Sequence, residues 1–210
     1  MKIIFLGAPG AGKGTQADRI SSKLGIPTIS TGAIIREAIK NGTELGLKAK
    51  NFIEQGLLVE DEIVIGIIKS RLAESDCEHG FILDGFPRSV PQAQALDVMG
   101  VKIDRVISIE VPDEAIVDRM AGRRVCSTCG LSYHITHNPS KDSKTCDRCN
   151  TVLSVRKDDA PEVVLARLAV YHETTEPLKE YYSKKGILRT VSGDGSVEET
   201  SAKVKEAIGV

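Results

Sequence analysis

The chain has 210 residues and a formal net charge of −1, which speaks against a general polyanion binder and requires that any arginines serving phosphate be grouped locally. Hydrophobic residues make up 41% and aromatics only 4%, with no Trp, so the length suits one α/β domain with small insertions around an aliphatic core. No apolar run is long enough to span a bilayer and no segment reads as a cleavable leader; the expectation is a cytoplasmic chain whose five Cys are not structural disulfides.

In chain order, an apolar run at 3–6 predicts a first strand. Gly7-Ala8-Pro9-Gly10-Ala11-Gly12-Lys13-Gly14-Thr15 follows it. Glycines let successive backbone N–H groups turn into one concavity, a helix N-terminus adds partial positive charge there, and Lys13 supplies a mobile full charge. Strand, loop, lysine and helix together read as a triphosphate cradle rather than a plain turn. Gly14 stands where Ser or Thr usually follows the lysine, with Thr15 one position later. Three roles stay open for Thr15: direct magnesium contact, contact through water, or none.

The next segment keeps Ala17, Ile20 and Leu24 on one helical face and ends at Gly25 and Pro27. Further strands at 28–30, 81–83, 106–109 and 187–191 alternate with helical patterns at 31–41, 46–55, 61–75, 90–99, 113–121, 161–185 and 197–208. That alternation predicts parallel strands joined by crossover helices, with both sheet faces covered. The expected fold is α/β, a three-layer doubly wound parallel sheet of the P-loop type. Its core would be 1–29, 60–121 and 160–210, with two projecting insertions, a helical one at 30–59 and a polar one at 122–159.

Asp84-Gly85-Phe86-Pro87-Arg88 lies just past the strand at 81–83, where doubly wound sheets bind ligands. Asp84 is placed as an acid near the magnesium of a bound triphosphate, or as a turn residue. Arg88 emerges from the turn with a fork suited to phosphate. Gln92, four residues on, could read a base edge or face solvent. Other arginines gather at the insertion boundaries: Arg36, then Arg119, Arg123 and Arg124, then Arg156 beside Asp158 and Asp159, then Arg167. Asp159 with Glu162 also reads as a helix N-cap.

Cys126-Ser-Thr-Cys129 and Cys146-Asp-Arg-Cys149 are two CxxC pairs with sixteen residues between them. The spacing predicts four thiolates around a tetrahedral zinc, which leaves no open catalytic position. A segment so short of apolar residues needs such a staple. Iron in the same site, or a redox pair, are the alternatives. Cys77 lies outside the set as a core or surface thiol, and His134 and His137 read as packing or surface residues.

Taken together, GAPGAGKGT at 7–15, STGAIIRE at 30–37, DGFPRSVPQ at 84–92, GRRVC at 122–126 and RKDD at 156–159 with Arg167 resemble the long-form adenylate kinases with a zinc-bearing lid, over essentially the whole chain. The resemblance implies magnesium-dependent phosphoryl transfer from ATP to AMP giving two ADP, by a monomer without nucleic-acid or membrane partners. It implies that 30–59 is an AMP-binding domain and 122–159 a lid over ATP. Gly10, Ala11, Gly12, Lys13, Gly14 and Thr15 would contact ATP phosphates. Arg119 would stack on its adenine, Arg123 would reach its phosphate, and Ser132, Tyr133 and Val197 would line its site. The AMP site would comprise Thr31, Arg36, Leu57, Leu58, Val59, Gly85, Phe86, Pro87, Arg88 and Gln92, with Arg156 and Arg167 gripping phosphates. Lys13, Arg88, Arg123, Arg156, Arg167, Asp158 and Asp159 would surround the reacting groups. Cys126, Cys129, Cys146 and Cys149 would hold Zn2+, and Asp84 would hold Mg2+ through water. The competing readings are a kinase for another nucleoside monophosphate, a zinc-ribbon nucleic-acid module, and a P-loop switch.

Overall fold

Alternation along the first strand sets the layers. Ile3 and Phe5 face one side of the sheet and Ile4 and Leu6 the other, and all four are buried. A strand apolar on both faces needs cover on both faces. The computed structural model, which describes residues 1–210, supplies it. In chain order the elements are β1 (Lys2–Leu6), α1 (Lys13–Leu24), β2 (Thr28–Ser30), α2 (Thr31–Lys40), α3 (Glu44–Glu54), α4 (Asp61–Leu72), β3 (Phe81–Asp84), α5 (Val90–Val98), β4 (Arg105–Glu110), α6 (Asp113–Gly122), β5 (Arg123–Cys126), β6 (Ser132–His134), β7 (Leu153–Ser154), α7 (Pro161–Val170), α8 (Leu178–Lys184), β8 (Leu188–Ser192) and α9 (Val197–Ile208).

The main sheet is parallel in the order β2-β3-β1-β4-β8. On one face, Ala17 and Ile20 of α1, Ile116 of α6, Val164 and Leu168 of α7, and Val204 and Ile208 of α9 pack with Ile3, Phe5, Ile107 and Ile109. On the other, Ile68 of α4, Leu96 of α5 and Leu178 and Tyr182 of α8 pack with Ile4, Ile29, Leu83 and Val106. Truncating one such buried Leu or Ile to Ala would cost about 2–5 kcal/mol. Pairing sets Phe5 of β1 and Ser30 of β2 beside Asp84 of β3. The carboxyl ends of three strands therefore meet where the chain reverses its strand order, which is the ligand-binding position in this architecture.

Two segments leave the sheet. Between β2 and β3 run α2 and α3, capped by Ser30 and Thr43 side chains; the Thr43 cap starts α3 two residues before the predicted 46. Between α6 and α7 the chain builds a separate antiparallel sheet, β6-β5-β7. Its three short strands escaped the periodicity reading because each is two to four residues long.

Two expectations are corrected. The single helix predicted over 161–185 is α7, a π turn at Tyr171–Thr175 and α8. Pro177 has no N–H and crowds the preceding turn; the helix widens there, and Glu176 N–H donates to Tyr171 C=O. The predicted N-cap role of Asp159 also fails. The cap of α7 is Ala160, with no side-chain hydrogen bond, and the Asp159 carboxylate is taken instead by Arg123 and Arg167. Two guanidinium partners outweigh one backbone N–H.

The π turn carries a strap of charges. His172 places Nε2 2.9 Å from Asp113 at the start of α6 and Nδ1 2.7 Å from Glu176. Lys179 of α8 then joins Glu176 to Glu110 at the end of β4. Two carboxylates on the two ring nitrogens are both satisfied only by the imidazolium, and hydrogen bonding to Glu176 and Asp113 raises the His172 pKa above its usual value. A pKa raised by folding gives stability that is complete below the unfolded value near 6.5 and lost as pH rises through the folded value. His172→Gln is therefore expected to lower Tm most near pH 6, with the deficit shrinking as pH rises from there toward 9. A deficit that stays constant across that range would remove the strap's dependence on protonation.

Candidate functional site

The glycine loop turns immediately after β1. Gly12, the residue before α1, has φ of 94°, a conformation glycine adopts freely, and no side chain caps the helix. The first N–H groups of α1 therefore face the cleft, as an anion site requires. Lys13 Nζ donates to Gly7 C=O at 2.7 Å and Ala8 C=O at 2.8 Å, folding over the loop. A Cβ placed on Gly14 would lie 3.5 Å from Asp84 Oδ2, so the carboxylate at the end of β3 borders the cradle.

Beyond β3, the Gly85 carbonyl accepts from Thr31 Oγ1 at 2.7 Å and from Arg88 Nε at 2.9 Å. This ties the start of α2 to the Arg88 guanidinium. Gly85 has φ of 79°, and a Cβ there would stand 2.9 Å from Arg88 Nη2, so the arginine lies where a side chain would have been. From the opposite side, Thr175 Oγ1 of the π turn donates to Arg88 C=O at 2.8 Å. The widened turn thus buttresses the residue that carries the charge.

On the lid side, Arg123 makes a two-pronged contact with the fully buried Asp159 carboxylate. Arg167 Nη1 donates to Asp158 C=O at 2.8 Å and to Asp158 Oδ2 at 3.0 Å. Arg119 Nη2 donates to Gly193 C=O at 2.7 Å, fastening α6 to the loop before α9. Gln16 of α1 accepts from Ser201 Oγ at 2.7 Å and donates to Val197 C=O at 3.2 Å, so the Gly193–Val197 backbone is held beside the cradle.

These groups border one cleft of about 1220 Å³ between the loop, α2 and the β5–β7 sheet, above the roughly 300–1,000 Å³ of a single small-molecule pocket. Gly10 to Thr15, Asp84, Arg119, Arg123, Ser132, Tyr133, Arg156 and Val197 line it, and Arg36, Gly85, Pro87, Arg88 and Arg167 bridge toward its far end. There a smaller recess of about 60 Å³ is lined by Thr31, Leu57, Leu58, Val59 and Gln92, with Arg36, Arg88 and Arg167. Phe86 is not part of either wall; its ring is fully buried in the core under α4 and α5. The Tyr133 hydroxyl is used within the cysteine knuckle, accepting from Asp147 N–H at 2.9 Å and lying 3.5 Å from Cys146 Sγ. Gln92, which could have faced solvent, is buried.

The electrostatics are one-sided. Burial pushes Lys13 down to about 8; Asp84 opposes the fall and the charges of Arg88, Arg167 and Arg123 add to it. Burial and then Arg36 and Arg123 bring Arg156 to about 9, against the pull of Asp158 and Asp159. Burial lowers Arg36, Arg88 and Arg167 too, and neighbouring arginines add to the fall against the pull of Asp158 and other nearby carboxylates. Burial raises the Asp158 carboxyl, but Arg167, Arg123, Arg156 and Arg36 outweigh it and hold it below the usual range. Added negative charge would relieve such a cluster.

Sequence reasoning passed over several residues that share the cleft. His134 and His137, assigned to packing or surface, line it with ring centroids 4.5 Å apart. A Cβ on Gly122 would meet His134 Nε2 at 2.2 Å, so this glycine at the end of α6 admits the ring. Arg148, set between the second pair of cysteines, faces the cleft with Asp18 of α1. No motif marks these side chains for the cleft, and only the fold brings them in.

The four predicted metal ligands do meet. Cys126, Cys129, Cys146 and Cys149 bring their sulfurs within 4.8 Å of one another, with Cys126–Cys149 at 3.3 Å and Cys129–Cys146 at 3.4 Å. Sulfurs about 2.3 Å from a tetrahedral centre are separated by a little under 4 Å, so the set fits an ion that prefers thiolate. Cys129 N–H points at Cys126 Sγ at 3.4 Å. Cys77 lies apart, buried beside Arg71 and Asp76.

A glycine loop before a helix, an acid on the adjacent strand and a cleft with two lobes sharing arginines define a P-loop kinase of nucleoside monophosphates. The adenylate kinase family model matches residues 5–187. Proteins named adenylate kinase from Caldicellulosiruptor saccharolyticus and Agathobacter rectalis are each 54% identical over the full length of both chains. One from Archaeoglobus fulgidus is 54% identical over 94% of this chain and 93% of its own. The chain belongs to the adenylate kinase family.

The Lys13 geometry yields a test. An ammonium held down to about 8 by its surroundings regains its proton when phosphate charge arrives. ATP binding at pH 8.5 is expected to take up protons, seen in calorimetry as a heat that varies with buffer ionisation enthalpy, and affinity should fall as pH rises through 8. Uptake that is equally absent at pH 7 and pH 8.5 would oppose this.

Proposed function

We propose that the chain catalyses MgATP + AMP ⇌ 2 ADP, with ATP over the glycine loop and beneath β5–β7, and AMP in the recess between α2, α4 and α5. The observation that supports it is the shared set of buried arginines between two lobes. Phosphoryl transfer asks for in-line placement and for positive charge around the moving group, with little covalent work by the protein. Lys13 and the first turn of α1 hold the donor's outer phosphates. Arg36 and Arg88 hold the acceptor phosphate, and Arg123, Arg156 and Arg167 surround the interval between them. Asp158 and Asp159 keep Arg123 and Arg167 aimed until both phosphates are present. Asp84 would hold magnesium through its waters, with the Thr15 hydroxyl in the first turn of α1 nearby, and the bound ion would supply positive charge to the donor phosphates.

In this reading residues 122–159 form a lid, 30–59 the AMP-binding domain, and 1–29, 60–121 and 160–210 the core. Lys157 lies 3.6 Å from Glu54 across the two projecting segments, an exposed pair that stabilises contact only slightly. The segments can therefore part to admit nucleotide and meet to exclude water. Arg119, held to Gly193 C=O beside the Gly193–Val197 backbone, offers its guanidinium to the adenine, while Ser132, Val197 and the ring of Tyr133 complete that wall. The acting unit is the single chain, since both lobes are built from it, and reduced thiols suit the cytoplasm. The ion at the four cysteines is zinc and structural: the set supplies four thiolates and keeps no ligand position for substrate.

Arg88→Ala is expected to lower ADP formation by about 10²–10³-fold with an unchanged circular dichroism spectrum; a near-normal rate in the folded variant would sink the assignment. Assayed with ATP against AMP, GMP, CMP and UMP, the wild type should turn over AMP far faster than the others. Cys146→Ser, or removal of the metal by a chelator, should lower Tm and the protease resistance of 122–159, with one zinc per chain measured in untreated protein. An unaltered melting curve after full metal loss would contradict a structural zinc.

A further inference from the structure

Gln92 has its side-chain amide engaged at both ends. Arg88 N–H donates to Oε1 at 2.8 Å, and Nε2 donates to Asp61 Oδ1 at 2.6 Å. The other Asp61 oxygen accepts from Ser89 Oγ at 2.9 Å, and Ser89 Oγ in turn accepts from Gln92 N–H at 3.3 Å. Gln92 is buried and Asp61, in the first turn of α4, is half-buried. Asp61 is not part of any motif, and no step above uses it.

The two ends of a primary amide are nearly the same size, and its terminal torsion is soft and close to two-fold. A glutamine that reads a base can therefore turn over and offer its donor and acceptor in either order. Adenine presents the N6–H2 donor beside an acceptor ring nitrogen, whereas guanine presents the O6 acceptor in the same place. An amide free to turn would adapt to both. Here a backbone N–H, which only donates, and an ionised carboxylate, which only accepts, allow one orientation. The remaining lone pair of Oε1 and the remaining proton of Nε2 are then left for the base, in the order that adenine complements.

We propose that Asp61 is a positioning residue for base selection: by holding the Gln92 amide in one orientation, it makes the recess discriminate adenine from guanine monophosphate. The proposal rests on the reading of that recess as the AMP site.

The experiment compares kcat and KM for AMP and GMP, and KM for ATP, in the wild type, Asp61→Asn and Gln92→Ala. Asparagine keeps the size of Asp61 but can offer either a carbonyl or an amino group. Asp61→Asn is expected to raise the KM for AMP and to shrink the AMP-to-GMP ratio of kcat/KM by on the order of tenfold. The loss should fall on KM for AMP rather than on kcat, and KM for ATP should stay in place. A lower Tm with an unchanged AMP-to-GMP ratio would mean that Asp61 only caps α4, and would overturn the proposal. If Gln92→Ala leaves the KM for AMP unmoved, the site reading falls and the proposal with it. If Gln92→Ala raises that KM while Asp61→Asn keeps the ratio, the proposal alone falls. Should Asp61→Asn fail to fold, the Gln92 side-chain amide signal of the wild type decides: one proton exchanging slowly supports the bond to Asp61, and two protons exchanging alike overturn it.

Discussion

Like charges crowded away from water are the constraint on which this molecule turns. Lys13, Arg36, Arg88, Arg156 and Arg167 all feel burial and one another, and the carboxylates nearby do not balance them. A chain left to minimise its own energy would not gather them. Rigid contacts hold the group in place: Lys13 to the loop carbonyls, Arg88 to Gly85 and Thr175, Arg123 to Asp159 and Arg167 to Asp158. The strongly apolar sheet beneath supplies the stability that offsets this local cost. In the proposed site, phosphate charge would complete the cluster, so that nucleotide binding and the assembly of the arginines become one event.

Residues 122–159, the proposed lid, are held differently. Its only buried apolar cluster is Cys126, Tyr133 and Cys146, with Cys129, Leu131 and Leu153 at the margin. Packing alone offers such a segment little, and the four clustered cysteines are where a metal would staple it. Such a staple suits the proposed lid, because a body held from within needs little surface buried against the core. Its roots, α6 and α7, are packed into the main core, and the His172 strap binds their core ends together. In the proposed closure, movement would fall between Gly122 and Pro161, a stretch that carries Arg123, Arg156, Asp158 and Asp159 of the site.

Asp159 shows how local and tertiary preferences compete. Sequence pattern alone assigns it to capping α7, and in an isolated helix it would do so. In the folded chain Arg123, thirty-six residues away, takes the carboxylate, and the helix starts without a side-chain cap. The break after Val170 has a similar origin: apolar spacing over 161–185 reads as one helix, while Pro177 and the contact from Thr175 to Arg88 favour a widened turn. Gln92 carries the point furthest. A solvent-facing glutamine and a buried, oriented one look identical in sequence, and only Asp61, on another helix, distinguishes them.

What the sequence determined by itself was everything written in contiguous or periodic residues. The glycine loop, the strand and helix alternation, the paired cysteines and the order of arginines along the chain are of this kind, because turn chemistry, burial periodicity and ligand spacing act over a few residues. What tertiary structure decided was every relation between distant residues. It placed His134, His137, Arg148 and Asp18 in the cleft, withdrew Phe86 into the core, turned the Tyr133 hydroxyl into the cysteine knuckle and moved Asp159 from helix cap to arginine partner. The physical reason is that burial and charge act across space, and the energies they set between distant groups exceed the local preferences that a linear pattern records.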